Sequence, residues 1–173
     1  PIFANITIVG PKKDASTTID ANFKRAAHLR RNTRTSAINS IFMGFPTGIY
    51  LDGSKSANAF ISGEMELRGL IISGMNKPLD TNATSGTGLN FTTSFATSGW
   101  NNTILTDNSL LGLANPYGDG AAFDPTPSAS SVAVTGAVNS TKLSANGLQQ
   151  VTYRGAVAPG GNDNWWKQWT KFD

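Results

Sequence analysis

The sequence predicts an all-β solenoid, a stack of short strands joined by turns. Two observations support this class: few charged residues, and a strand pattern that returns along the chain. Charged residues make up 14% of the 173 residues and hydrophobic residues 39%. Small polar residues fill the difference, which favours water-exposed β-structure over a helical bundle. The alternative is a β-sandwich, in which similar short strands also recur.

Three short apolar runs, each closed by a glycine, carry the repeat. They read NITIVG, NSIFMG and GLIISG, and they end at Gly10, Gly44 and Gly74. A second series follows them in HLRRN, GIYLDG and PLD. Short strands that recur at the interval between these glycines are typical of the stacked coils of a solenoid. We expect the closing glycines to turn the chain with a positive φ.

The rest of the chain has a different composition. Residues 81–145 are rich in Gly, Thr, Asn and Pro, which predicts an irregular, loop-rich continuation packed on the coils of residues 1–80. Residues 146–173 contain the alternating segment QVTYRGAVAP, a predicted strand, and then an aromatic tail. The three segments are expected to form one structural domain.

The tail NDNWWKQWTKFD concentrates the largest apolar side chains of the chain. Trp165, Trp169 and Phe172 follow the i, i+4, i+7 spacing of one helical face, which predicts a short helix that closes the core as a cap. Trp166 points away from that face. The alternative is a sugar-binding platform, in which the rings of Trp165 and Trp166 stack on pyranose rings.

The basic stretch KRAAHLRRNTR is the second candidate site. In a strand, His28, Arg30 and Asn32 would share one face and Arg31 the other. Such a ladder of cations predicts Arg30 and Arg31 as ligands for acidic or sulfated glycans. The alternative is pairing with carboxylates of a neighbouring coil, at Asp52, Glu64 and Glu66.

Composition and motifs argue against catalysis. The chain has no cysteine and one histidine, which excludes disulfides, thiolate metal sites and cysteine nucleophiles. Its aspartates are scattered in turn contexts, and nucleophile and phosphate-binding motifs are missing. We therefore predict no enzyme, no catalytic residue and no cofactor. Calcium binding near Asp119 and Asp124, in NPYGDGAAFD, is the one metal site that the sequence does not exclude.

Both ends of the chain resemble a known group of proteins. The segments NFKRAAHLRRNTRTSAINSIFMGFPTGIYLDG and VTYRGAVAPGGNDNWWKQWTKFD are similar to secreted or surface proteins of Bacteroidetes and related bacteria. The resemblance implies a right-handed parallel β-helix with an irregular C-terminal region and a short aromatic cap. It implies that the chain is the C-terminal part of a longer protein. It brings no catalytic motif.

These expectations lead to a predicted function. We expect a non-enzymatic structural protein, extracellular or on the outer cell surface, whose rigid rod supports adhesion or assembly. Its N-terminal edge, with Phe3, Ile6 and Ile8, would be covered by further coils, another subunit or copies of itself. The alternatives are a carbohydrate-binding module and a part of a polysaccharide-active enzyme. The net charge of +3 is concentrated in one stretch, so we predict no nucleic-acid partner, and no membrane span is expected.

Overall fold

The computed structural model describes residues 1–83, 87–162 and 165–168. Within these residues the strands form three small parallel sheets and one antiparallel pair, β11-β12. The strand orders of the parallel sheets are β1-β4-β7, β10-β8-β5-β2 and β3-β6-β9. The strands are β1 (Ile2–Ala4), β2 (Thr7–Val9), β3 (Arg25–Leu29), β4 (Ser36–Ile38), β5 (Ile41–Met43), β6 (Thr47–Leu51), β7 (Leu67–Arg68), β8 (Ile71–Ser73), β9 (Lys77–Thr81), β10 (Thr103–Leu105), β11 (Leu113–Asn115) and β12 (Asp124–Pro127).

Short helices interrupt and follow these strands. The α-helices are α1 (Ser54–Ile61), α2 (Phe91–Phe95) and α3 (Thr141–Ala145), and single 3-10 turns cover Asn108–Leu111, Gly120–Ala122, Val132–Val134 and Trp165–Gln168. In the part of the chain that the structure describes, none of the helices has the length and apolar character needed to cross a bilayer.

The repeated runs lie side by side in the second sheet. Ile8 pairs with Phe42, and Phe42 pairs with Ile72, in parallel register. The second series does the same in the third sheet, where Ile49 pairs with Leu79. A parallel partner on each side satisfies the backbone groups of the middle strands, so the apolar runs are buried there.

The prediction of an all-β, right-handed parallel β-helix is wrong. Helix accounts for 19% of the structure and strand for 26%, and the parallel strands form separate sheets instead of a continuous solenoid. The physical reason lies in the connections. α1 is inserted between β6 and β7, and after β10 the parallel pairing stops and gives way to turns, short helices and the β11-β12 pair.

The closing glycines act in two different ways. Gly44 and Gly74 adopt φ values of 73° and 65°, the left-handed region that glycine enters without steric cost. Gly10 was expected to do the same, but it does not have a positive φ. It is needed for space, because a Cβ at Gly10 would lie 2.3 Å from the carbonyl oxygen of Gly44.

The main apolar core lies between the three parallel sheets, α1 and α2. Its fully buried members include Ile49, Leu51, Leu67, Leu70 and Ile72. Most are β-branched or leucine side chains on the strands themselves, as expected for sheets that are covered on the inner face.

The segment predicted as a C-terminal strand is not one. Residues 151–158 form bends and irregular backbone, and no strand occurs in the described part of residues 146–173. This segment instead packs on the corner between the first two sheets. The Gly155 N–H donates to the Asn39 carbonyl at 2.8 Å, and the Ala156 N–H donates to the Thr7 hydroxyl at 3.0 Å. These hydrogen bonds to Asn39 and Thr7 satisfy backbone groups that would pair with a neighbouring strand if the segment were a strand itself.

Candidate assembly surface

Three edge strands meet at one end of the molecule. β1, β2 and β3 are each the outermost strand of their parallel sheet. Because these three strands follow one another in the sequence and line one cavity, their free edges face the same way. We call this surface, formed by β1, β2 and β3 and the cavity between them, the open end. A free strand edge presents unpaired N–H and C=O groups to any approaching chain.

The cavity at the open end is apolar and has a volume of about 200 Å³. Phe42, Ile49 and Leu67, all buried core residues, form its floor. The edge strands and the connection to β4 form its wall, through Phe3, Ile6, Ile8, Ala27, His28, Leu29, Thr35 and Ala37. Phe3 is 50% exposed, and the predicted edge residues Ile6 and Ile8 are half-buried. The core therefore continues to the surface at this end.

The far end of the core is closed by aromatic side chains. Phe91 and Phe95 of α2 are buried, and Phe60 of α1 makes edge-on ring contacts with Phe91 at 5.3 Å and Trp100 at 5.6 Å. The Asn102 side chain completes the edge of β7, because it accepts from the Leu70 N–H at 2.9 Å and donates to the Leu67 carbonyl at 2.8 Å.

The closing aromatics were not predicted, although the sequence carries a signal for them. Residues 90–95, NFTTSF, belong to the segment that its polar composition predicts to be a loop or an edge segment. Asn90 caps α2 by accepting from the Thr93 N–H at 3.1 Å. Phe91 and Phe95 then follow at i and i+4, the spacing of one helical face.

Positive charge is concentrated in the N-terminal segment that contains the three edge strands. Residues 1–35 contain seven of the fourteen Lys and Arg residues but only two of the eleven Asp and Glu residues. All three edge strands belong to this segment. The remainder of the chain therefore has a negative balance.

The predicted ladder of cations does not form. β3 ends at Leu29, and Arg31 and Asn32 have φ values of 55° and 62° in the turn that follows. Arg30 and Arg31 therefore lie on a turn beside the open end instead of alternating along a strand. Arg34 pairs with Glu64, with 2.7 Å between Nε and Oε2, one of the carboxylates proposed as an alternative partner.

A polar chain of contacts crosses the outer face of the third sheet. His28 Nε2 lies 2.8 Å from Asp52 Oδ2, and the Asn82 amide donates to Asp52 Oδ1 at 2.7 Å. The ring of Tyr50 lies between His28 and Arg25, whose guanidinium is 4.1 Å from the ring centroid. The hydrogen bonds from His28 and Asn82 hold the pKa of Asp52 below its ordinary value of 3.8. These contacts tie β3, β6 and the end of β9 together.

The two candidate tryptophans occupy different environments. Trp165 is 52% exposed and donates through Nε1 to the Ala156 carbonyl at 3.2 Å. Trp166 is 5% exposed and packs edge-on against Phe123 at 5.3 Å. The expected cap residue Trp165 is therefore exposed, while Trp166 is buried. The described part of the tail is a single 3-10 turn, Trp165–Gln168. Trp169 and Phe172 lie outside the described residues.

The carboxylates do not gather into a catalytic or metal-binding group in the described residues. No cluster of three or more Asp, Glu, His or Cys side chains occurs there. For the calcium hypothesis, Asp124 accepts from the Thr126 N–H at 3.0 Å, and Asp119 precedes the 3-10 turn Gly120–Ala122 without a side-chain capping bond. Glu66 accepts from the Ser140 hydroxyl at 2.8 Å and connects β7 to the segment before α3.

Arg154 is a buried cation that the sequence reasoning missed. It is 5% exposed and donates to the Thr103 hydroxyl at 2.9 Å, to the Asn101 carbonyl at 3.1 Å and to the Val132 carbonyl. Burial lowers its pKa to about 10. The arginine fixes the C-terminal segment to β10 and to the 3-10 turn at Val132, so it acts as a structural bridge.

Comparison with protein-family models, with curated proteins and with solved structures found no match.

Proposed function

We propose that the chain is a non-enzymatic structural module of an extracellular or outer-surface assembly, and that another subunit covers its open end. The observation that carries this proposal is an apolar cavity surrounded by three free strand edges. Exposed apolar surface bordered by unpaired backbone groups is the combination that strand addition removes from water. The extracellular location rests on the resemblance at both ends of the chain, and the absence of catalysis rests on the composition and the missing catalytic motifs.

The interactions of the charged side chains support a structural role. Asp52, Glu66 and Arg154 each connect neighbouring strands or segments through the hydrogen bonds given above. Their geometry is explained by holding the sheets and the C-terminal segment in place. A carbohydrate-binding function based on Trp165 and Trp166 gains no support from their positions, because only one of the two rings is exposed.

A cysteine footprint tests the coverage of the open end. The chain contains no cysteine, so Phe3→Cys introduces one reactive thiol at the cavity rim. Leu110→Cys is the matched control, since Leu110 is 55% exposed and lies in the 3-10 turn after β10. Each variant is expressed in the natural source, and maleimide labelling is measured on the assembly isolated from it and on the purified variant chain.

We expect the Phe3→Cys thiol to react at least about tenfold more slowly in the assembly, because a covering subunit excludes the reagent from a buried edge. The Leu110→Cys thiol should react at the same rate in both samples. Equal rates at Phe3→Cys in the two samples would contradict the proposal.

A further inference from the structure

Arg25 is a partly buried arginine that is held in place by stacking. Its guanidinium lies 4.1 Å from the centroid of the Tyr50 ring, and it makes no hydrogen bond or ion pair with the described residues. The other arginines that are at least partly buried have acceptors, since Arg68 lies 4.0 Å from Glu66 and Arg154 donates to three oxygens. A guanidinium presents five N–H donors in a fixed plane. The donors of Arg25 are therefore oriented and available to an anion.

Arg25 lines a depression of about 320 Å³ beside the start of β3. The described residues that line it include two phenylalanines and no carboxylate: Asn22, Phe23, Lys24, Arg25, His28 and Phe45. Phe23 is 47% exposed. Lys24, like Arg25, has no ion-pair partner among the described residues. Two cations without a carboxylate partner and an exposed aromatic ring therefore border the same space.

A second depression, of about 340 Å³, adjoins the first. The two share Phe23, Lys24 and Arg25, and the second continues to Pro46 and Thr47. Asp20 also lines the second depression, and its carboxylate accepts from the Asn22 N–H at 2.8 Å. We call the two depressions together the Phe23 groove. Because the same aromatic ring and the same two cations border both halves, the groove suits a ligand longer than a single ring.

The side chains of the Phe23 groove restrict the chemistry of its ligand. An exposed aromatic face packs against the apolar face of a sugar ring, and guanidinium and ammonium groups bind carboxylate or sulfate groups. An inorganic anion would use the cations but not Phe23. A neutral sugar would use Phe23 but not Arg25.

We propose that the Phe23 groove binds an acidic oligosaccharide, with one anionic substituent on Arg25 and one sugar ring against Phe23. Carboxylate and sulfate substituents share the chemistry that the guanidinium recognises. This binding site is additional to the proposed structural role, and it does not depend on what covers the open end.

Calorimetric titration of the purified full chain tests the proposal with four probes. They are a trisaccharide of galacturonate, a sulfated trisaccharide of galactose, the neutral trisaccharide of galactose and inorganic sulfate. We expect at least one acidic trisaccharide to bind, and its carboxylate or sulfate identifies the substituent. The neutral trisaccharide and inorganic sulfate should bind at least about tenfold more weakly, because each uses only part of the groove.

Variants of the chain locate the contact. Arg25→Gln should weaken the acidic trisaccharide at least about tenfold and leave the affinity for the neutral one unchanged. Phe23→Ala should weaken both sugars, and because Phe23 is exposed, this variant leaves the core intact. Arg30→Gln is the matched control. It makes the same change of charge at an exposed position directly after β3, and the affinity for the acidic trisaccharide should stay within about twofold.

Four outcomes would overturn this inference. They are no binding of either acidic trisaccharide at millimolar concentration, equal affinity for inorganic sulfate and the acidic sugars, tighter binding of a thymidine oligonucleotide than of either sugar, and an equal loss of affinity in Arg25→Gln and Arg30→Gln. Thiol labelling at Phe3→Cys involves no sugar. Failure of the saccharide site is therefore distinguishable from failure of the proposed function.

Discussion

Asp52 shows how single side chains hold the third sheet together. Its two carboxylate oxygens bind different neighbours, His28 from β3 and Asn82 after β9, and Asn82 also accepts from the Gly53 N–H at 2.7 Å. The carboxylate therefore links three consecutive layers of the sheet. Because these bonds are stronger to the ionised carboxylate, the link depends on pH.

Replacing Asp52 with asparagine should change the pH dependence of stability. The pKa of Asp52 in the folded chain lies below the ordinary value of 3.8. The stabilisation is therefore complete above that value and is lost as the pH falls through the lowered pKa. We expect Asp52→Asn to have a lower melting temperature than the unmodified chain at about pH 6, and the difference to shrink as the pH falls below the ordinary value of 3.8.

Asp119→Asn is the control for this measurement, since the Asp119 side chain makes no capping hydrogen bond. Its melting temperature should follow that of the unmodified chain across the same pH range. A melting-temperature difference for Asp52→Asn that stayed constant down to about pH 2 would contradict the carboxylate link.

Residue patterns in the sequence identified some of these positions and missed others. Glu64 and Asp52 were alternatives for pairing with the basic stretch, and both have basic partners. Asn39 was missed: it has a φ of 52°, is fully buried, and its side chain both donates to and accepts from the backbone of Val138. Partners 99 residues apart leave no local pattern, and a single sequence does not reveal them.

Among the secondary-structure elements, α2 contributes more to closing the core than its five residues suggest. Its two phenylalanines lie at i and i+4, and both are buried beneath the far end of the core. The Phe95 ring contacts the Phe91 ring at 6.2 Å in an edge-on geometry. Without these side chains the core would be exposed at both ends.

Phe95→Ala should therefore destabilise the whole chain. A buried phenylalanine replaced with alanine costs about 3–5 kcal/mol, through lost transfer free energy and the cavity left behind. The free energy of unfolding from chemical denaturation measures the effect. Ile61→Ala, at an exposed position at the end of α1, should change that free energy by about 0.5 kcal/mol or less. Equal effects for the two variants would show that α2 does not close the core.

The sequence predicted the parallel elements better than the rest. The repeated runs that end at Gly10, Gly44 and Gly74 do pair in register, because alternating apolar residues and a closing glycine are local features. The overall class was wrong because the helices depend on tertiary contacts. α1 is an example: it has no side-chain capping bond and is held by the burial of Ala57 and Phe60.

At the scale of the whole molecule, Arg154 joins the second half of the chain to the parallel sheets. Its bonds reach Asn101, Thr103 and Val132, which belong to two separate parts of the chain. No pattern around YRGA in the sequence indicates this role, since an arginine is usually exposed.

Arg154→Met keeps much of the side-chain volume but removes these hydrogen bonds. Leaving buried acceptors without a donor costs about 1–3 kcal/mol each, which loss of the buried charge partly offsets. We expect a net loss of about 1–3 kcal/mol in the free energy of unfolding and faster proteolysis after residue 130. Lys55→Met, at an exposed position on α1, is the control. Unchanged stability and proteolysis in Arg154→Met would refute the bridge.

The two unlike ends of the core also determine how the chain takes part in a larger structure. A subunit with two binding faces extends a polymer, whereas a subunit with one binding face terminates it. The aromatic seal at Phe91, Phe95 and Trp100 covers the core at one end, whereas the cavity at the open end leaves core residues accessible. Under the proposed function, the chain would have a valence of one. The mean length of any filament that it joins would then fall as its molar share of the subunits rises.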